Sequence, residues 1–151
     1  MLNLLRNFVA LILGVAVGGG VNMALIVWGP MLIPPPAGAD MATAEGLRAA
    51  MPLLEPRHFM MPWLAHALGT LVGALVGALV APSHRLFIAG VIGILFLAGG
   101  VAASLVIPAP AWFIAVDLAL AYLPMATLGW WLARRFRPGA GARSSPAARP
   151  R

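Results

Sequence analysis

The stretch Trp63-Leu64-Ala65-His66-Ala67-Leu68-Gly69-Thr70-Leu71-Val72-Gly73-Ala74-Leu75-Val76-Gly77-Ala78-Leu79-Val80-Ala81 decides the fold. It carries no formal charge, and as a helix rising 1.5 Å per residue it covers about 28 Å, close to the ~30 Å of bilayer hydrocarbon. Glycine recurs at 69, 73 and 77. Every fourth residue falls on nearly one helix face, so this face lacks side chains over two turns. Lipid tails give helices no hydrophobic reason to associate, and close backbone contact takes its place. The stretch therefore reads as a membrane-spanning helix with a built-in packing face.

Three more apolar stretches of similar length follow from the same scan: Phe8–Trp28, Leu86–Ile107 and Trp112–Ala133. The composition agrees, because 62% of the 151 residues are hydrophobic and 9% are charged, with mean hydropathy +0.94. A water-facing domain is nearer half apolar and a quarter charged. No stretch shows the alternation of a β-barrel strand, and a lipid-embedded backbone without water is left with helices. The expected fold is all-α, an integral membrane four-helix up-down bundle over residues 1–133, with a basic tail at 134–151. In the first span Arg6 precedes the apolar run, but Val21-Asn22-Met23-Ala24 is a poor cleavage site, so the span reads as an uncleaved anchor.

Orientation follows from the arginines. Arg6, Arg85, Arg134, Arg135, Arg137, Arg143, Arg149 and Arg151 fall on one side of a four-span arrangement, and only Arg48 and Arg57 on the other, beside Asp40, Glu45 and Glu55. Eight against two places both termini in the cytoplasm by the positive-inside rule. Trp28, Trp63 and Trp112 then mark the outer interface, and Trp130 and Trp131 the inner one. There is no cysteine, which excludes disulfides and thiolate chemistry.

Two connections are short and proline-marked, Pro82-Ser83-His84-Arg85 inside and Pro108-Ala109-Pro110 outside, which predicts side-by-side packing of spans two and three and of three and four. The third is the 34-residue outer segment Gly29–Pro62. Pro34-Pro35-Pro36 holds its start extended, Asp40 or Thr43 caps a short helix through about Ala50, and Pro52 ends it. Leu47, Met51 and Leu54 give that helix a narrow apolar face, suited to the membrane interface or to the outer mouth of the bundle. The tail after Ala133 holds six arginines and no acid, so it reads as disordered and lying on anionic lipid headgroups, at about 1 kcal/mol per arginine. Aromatic interleaving is limited to Phe136, and nucleic-acid binding is not expected.

Span one matches the glycine stripe with Ala10, Gly14, Gly18 and Asn22, and span three offers Ala89 with Gly93 and Gly100 with Ser104. Such faces pack helices either within one chain or between copies in a homo-oligomer. Gly18-Gly19-Gly20 marks a hinge or a very close crossing.

Asn22, His66 and Asp117 are the polar residues that stand out inside the spans. Counted from the outer tryptophans they lie ~9, ~5 and ~8 Å deep, in one layer. Polar groups at that depth find a partner or line a cavity. Asp117 and His66 are expected to face each other or share a water, with Asn22 nearby. A carboxylate beside an imidazole either handles a proton or cation, as in a small transporter or channel subunit, or forms an interhelical clamp with bonds of ~0.6 kcal/mol. Pro124 frees the Leu120 carbonyl and allows a bend just below the acid. His58, Met60 and Met61 form a weaker imidazole and thioether cluster of the type that suits Cu(I), although methionine is also an ordinary gap filler, and no metal site or other cofactor is expected. Enzyme chemistry lacks a motif: there is no His-Glu-x-x-His, no nucleophile elbow, and no base spaced for Ser83 or Ser104. Tyr122 stands alone.

The runs Val21-Asn22-Met23-Ala24-Leu25-Ile26, Leu32-Ile33-Pro34-Pro35-Pro36, Met51-Pro52-Leu53, Ala65-His66-Ala67-Leu68-Gly69-Thr70 and Pro110-Ala111-Trp112-Phe113, with Asp117-Leu118, resemble a group of small uncharacterised four-span bacterial inner-membrane proteins. The resemblance covers most of the chain except the tail. It implies the membrane location and carries no activity with it.

Overall fold

The computed structural model describes residues 1–136. Among these the chain is all-helical, with α1 Leu2–Leu32, α2 Ala44–Ala50, α3 Met60–Val80, α4 Arg85–Val106, α5 Ala111–Leu120 and α6 Leu123–Phe136. Four helical stretches are long and apolar enough to cross a membrane, 2–32, 56–80, 85–106 and 111–136. Their outward surface is apolar, with Leu4, Phe8, Phe87, Ile94 and Leu105 all exposed. A water-soluble monomer seldom exposes so much contiguous apolar surface, whereas lipid tails accept it.

The helices run past the hydropathy boundaries for local reasons. α1 continues to Leu32 with Pro30 inside its last turn, where the missing N–H costs a single bond, and Ile33 closes the end by donating to the Gly29 carbonyl. α3 starts at Met60 because Pro62 falls in its first turn, where no partner for an N–H exists. α6 includes Arg134, Arg135 and Phe136, three residues beyond the expected end of the span. There the guanidinium groups of Arg134 and Arg135 lie 4.9 and 4.4 Å from the ring centres of Trp130 and Trp131. The rest of the expected basic tail, 137–151, lies outside the described residues.

The fourth span is two helices. Pro124 has no N–H for the Leu120 carbonyl, and the chain turns at Ala121–Tyr122 before restarting. Ala121 still donates to the Asp117 carbonyl and Ala126 to that of Tyr122, so the break occupies two residues.

α3 is the most buried of the spanning helices and packs against α1, α4 and α6. Short connections predict α3 beside α4 and α4 beside the fourth apolar stretch, and both pairs are in contact. α3 is nevertheless most intimate with α1, the helix to which the longest connection joins it. The glycines explain this. A methyl group added at Gly14 would lie 2.7 Å from the Gly73 carbonyl oxygen, and one at Gly18 would lie 2.6 Å from that of Gly69. Gly77 faces Ile92 and Ala10, while Gly93 receives Ala126 of α6. The stripe is thus filled within one chain. Of the run 18–20, only Gly18 is in contact. A methyl group added at Gly19 or Gly20 would meet nothing within 4 Å, and α1 passes through both unbroken.

The long connection is ordered by its own short helix. Thr43 caps α2, its hydroxyl accepting the Gly46 amide at 3.0 Å and donating to Asp40 at 2.6 Å. Asp40 also accepts the Ala42 amide at 2.8 Å, and these bonds, the Thr43 hydroxyl foremost, hold its carboxyl below the usual carboxylate range. Two 3-10 turns, Met51–Leu53 and Pro56–Phe59, deliver the chain to α3. Arg48 of α2 donates to the Val106 carbonyl at 3.2 Å, fastening the connection to the end of α4.

Candidate functional site

His66 and Asp117 meet. His66 sits in the second turn of α3, three residues before the first glycine of the stripe, and Asp117 lies in the second half of α5. Nδ1 of His66 lies 2.9 and 3.0 Å from the two Asp117 carboxylate oxygens. The Tyr122 hydroxyl donates to Oδ2 of the same carboxylate at 2.9 Å. Asp117 is 4% exposed and Tyr122 1%, so the acid is buried and answers two donors. The imidazole is held flat as well, its ring stacked on Tyr122 with centroids 5.7 Å apart. Thr70 donates to the His66 backbone carbonyl at 2.7 Å, which satisfies the hydroxyl inside its own helix.

The chemistry of this trio is set by what a carboxylate is able to do. Ionised, it only accepts, so Nδ1 of His66 carries the hydrogen. Nε2 then presents a lone pair, or a second N–H when the ring is charged. It has no protein partner among the described residues, and it is not one of the sealed, unpartnered polar atoms, which are Asn7 Oδ1 and Trp63 Nε1. His66 and Asp117 both line a cavity of about 330 Å³ enclosed by the last turns of α1 and α4, the first turns of α3 and α5, and the long connection. Leu47, Met51 and Leu54 of the connection face into it, so the α2 segment covers the mouth of the bundle. Phe59, Trp112 and Phe113 pack edge to face and tilted at 4.9–5.9 Å, which stiffens one wall.

Asn22 is not hydrogen-bonded to the trio. Its Cβ packs over Gly69. Tyr122 takes the third place instead. In a continuous helix a residue five positions after Asp117 points about 140° away from it. The break before Pro124 turns the hydroxyl back onto the acid, so the proline was the signal and the spacing concealed it. Gly100 of α4 provides the room: a methyl group there would collide with the Tyr122 hydroxyl.

Trp63 turns inward rather than marking an interface. It packs against the Ala67, Ala121 and Tyr122 cluster with its indole N–H sealed from solvent. Trp28 and Trp112 are exposed. Of the imidazole and thioether residues, His58 and Met61 line the cavity. His58 Nδ1 accepts the Glu55 amide at 2.9 Å, Met60 is exposed, and Met61 is buried against Gly29. Among the described residues no three His, Cys, Asp or Glu side chains are grouped to hold a metal.

No known protein family matches the chain, and no curated protein or solved structure matches it either.

Proposed function

We propose that the chain is a multi-pass protein of the bacterial inner membrane, an up-down bundle with both termini in the cytoplasm, and that it handles a proton or a cation at His66 and Asp117 as a small transporter or channel subunit. The observation that carries the functional part is that His66 lines the cavity and commits Nδ1 to Asp117, while its Nε2 is unsealed and has no hydrogen-bond partner among the described residues. A carboxylate behind one ring nitrogen fixes the tautomer and leaves the other nitrogen to accept a proton. The orientation is supported by eight arginines against two, and it places the cavity under the outer surface. Lipids are the constant partners, anionic ones for the basic tail, and the role is non-enzymatic. The close packing of the glycine stripe within one chain supports a self-sufficient protomer.

A purely structural clamp is the second reading. It is favoured by the depth of Asp117, 4% exposed with two donors satisfied. The two readings separate on water access. In nitrogen-15 histidine spectra of the protein in lipid nanodiscs, a proton-handling His66 changes charge reversibly with pH while the bundle stays folded. A His66 signal that holds one protonation state until the protein unfolds would leave only the clamp. Asp117→Asn keeps a clamp folded, because the amide oxygen still accepts from Tyr122, but it alters the pH response of His66.

A further inference from the structure

We infer that the cavity takes a compact hydrophobic organic cation with an N–H group, and that this cation and a proton on His66 exclude one another. The inference rests on the proton-handling reading of His66 and adds the chemical class of the occupant.

Three properties of the cavity select that class. Its volume of about 330 Å³ is at the lower end for small-molecule sites, so the occupant is small. Its wall is apolar, with Ile26, Met51, Phe59, Ile107, Phe113 and Leu118 among the lining residues, so most of the occupant's surface is hydrocarbon. Finally, Asp117 is the one lining residue with a formal charge, and the titratable neighbours are His66 and His58.

Among the described residues, charges on the packed elements do not offset Asp117. Arg6 of α1 and Arg85 of α4 lie at the opposite end of their helices, Arg85 donating to the Ala81 carbonyl. Arg134 and Arg135 of α6 stack on tryptophans. In the connection, Arg57 pairs with Glu55 at 3.0 Å, Asp40 is bonded to Thr43, and Arg48 reaches the Val106 carbonyl; neither these residues nor Glu45 lines the cavity. The neutral Tyr122 donates to the acid, and His58 is engaged with Glu55.

With both histidines neutral, the cavity therefore carries one net negative charge in an apolar surround, where charge interactions are weakly screened. A cation with an N–H donor answers both unmet demands, the lone pair on Nε2 and the charge on Asp117 directly behind it. An anion is repelled, and a neutral donor meets only the first demand. Protonating His66 cancels the charge and replaces the acceptor with a donor, so the bound cation must leave. One charge is thus compensated by a proton or by the organic cation in turn, and each opposes the other's binding by the same factor.

The test is binding of 1-adamantylammonium to the full chain in nanodiscs, beside 1-adamantanol and adamantane-1-carboxylate, which share the same cage. The ammonium is expected to bind best and to weaken by about tenfold per pH unit on the acid side of the His66 titration, since one proton is exchanged. Asp117→Asn should weaken it roughly thirtyfold or more. His66→Gln should make the remaining binding independent of pH. Ala103→Leu, in the α4 wall of the cavity and outside the hydrogen-bonded trio, should exclude the probe while the His66 titration persists, which guards against misfolding of the site variants. Equal or tighter binding of the alcohol or the carboxylate overturns the inference. If His66 titrates and none of the three binds, the inference fails and the proton-handling reading stands. If the ammonium binds equally at every pH and His66 never changes charge, the proton-handling reading fails.

Discussion

Toward the Pro82–His84 turn the helices meet through Ala10, Ala74, Ala78, Ala81 and Ala89 with Ile88 and Ile92, all buried, and the glycines of α1 and α3 bring backbone onto backbone. Toward the long connection lie Trp63, Phe59, Phe113 and Tyr122, with a cavity that the buried Asp117 lines. The difference shows what residue size does when lipid surrounds a bundle. Small residues remove the space between helices, and contact is then the whole attraction. Large aromatic residues separate the helices, and the separation is stable only if the polar groups it admits are paired. One end is closed by subtraction of side chains, and the other is held open by a satisfied hydrogen-bond set.

The strongest way to break this contrast is to give the closed end bulk. Gly73→Ile places a branched side chain where even a methyl group would be 2.7 Å from the Gly14 carbonyl oxygen, and overpacking of this type costs about 3 kcal/mol. Reversible unfolding in mixed micelles should show that loss, whereas Gly19→Ile, with open space around it, should change stability by less than about 0.5 kcal/mol. Equal effects at both positions would mean that the α1–α3 seam is not what closes this end.

Next in size is Gly100→Ala at the open end. The added methyl collides with the Tyr122 hydroxyl, and pushing it off Asp117 leaves a buried group unpaired at a cost of about 2 kcal/mol. Tyr122→Phe removes the hydroxyl outright and should cost only ~0.6 kcal/mol, the usual worth of a polar contact between membrane helices. Combined, the two should be less damaging than their sum, since the phenyl ring no longer carries the colliding atom. Strict additivity in that double-mutant cycle would separate Gly100 from the site.

The smallest effect concerns the cover over the cavity. The Asp40 carboxyl is held low by the Thr43 hydroxyl and the Ala42 amide, so its folded value lies below its unfolded one. Its contribution to the α2 cap is therefore present above the unfolded value of about 3.9 and disappears as pH falls through the folded value. Hydrogen exchange at the Gly46 amide, which the cap protects, should accelerate in that acid window. Thr43→Val should produce the same acceleration at neutral pH and leave little further change on acidification.

The four long apolar helices, the stripe at Gly69, Gly73 and Gly77, and a cap at Asp40 or Thr43 were all readable from spacing, because each pattern is complete within one helix or one turn; the structure gives the cap to Thr43. The pairing of His66 with Asp117 was readable as an expectation, since both are costly to leave unpaired in lipid and lie at similar depth. Tyr122 was not, because its distance from Asp117 depends on a break in the helix that the hydrophobic pattern passes over. Asn22 fitted the depth argument and still makes no hydrogen bond to the pair, since depth leaves rotation about the helix axis undetermined.

By itself, the sequence determined that this is a chain of four apolar helices able to cross a membrane, where its glycine faces lie, and which end has the long connection. These follow from hydropathy, helical period and the few residues able to cap or stop a helix. The tertiary structure alone decided that α3 pairs most closely with α1, that α5 and α6 part at Ala121–Tyr122, and that His66 and Asp117 line one cavity. Those outcomes depend on how helices rotate and approach, which is settled by contacts between residues far apart in the chain.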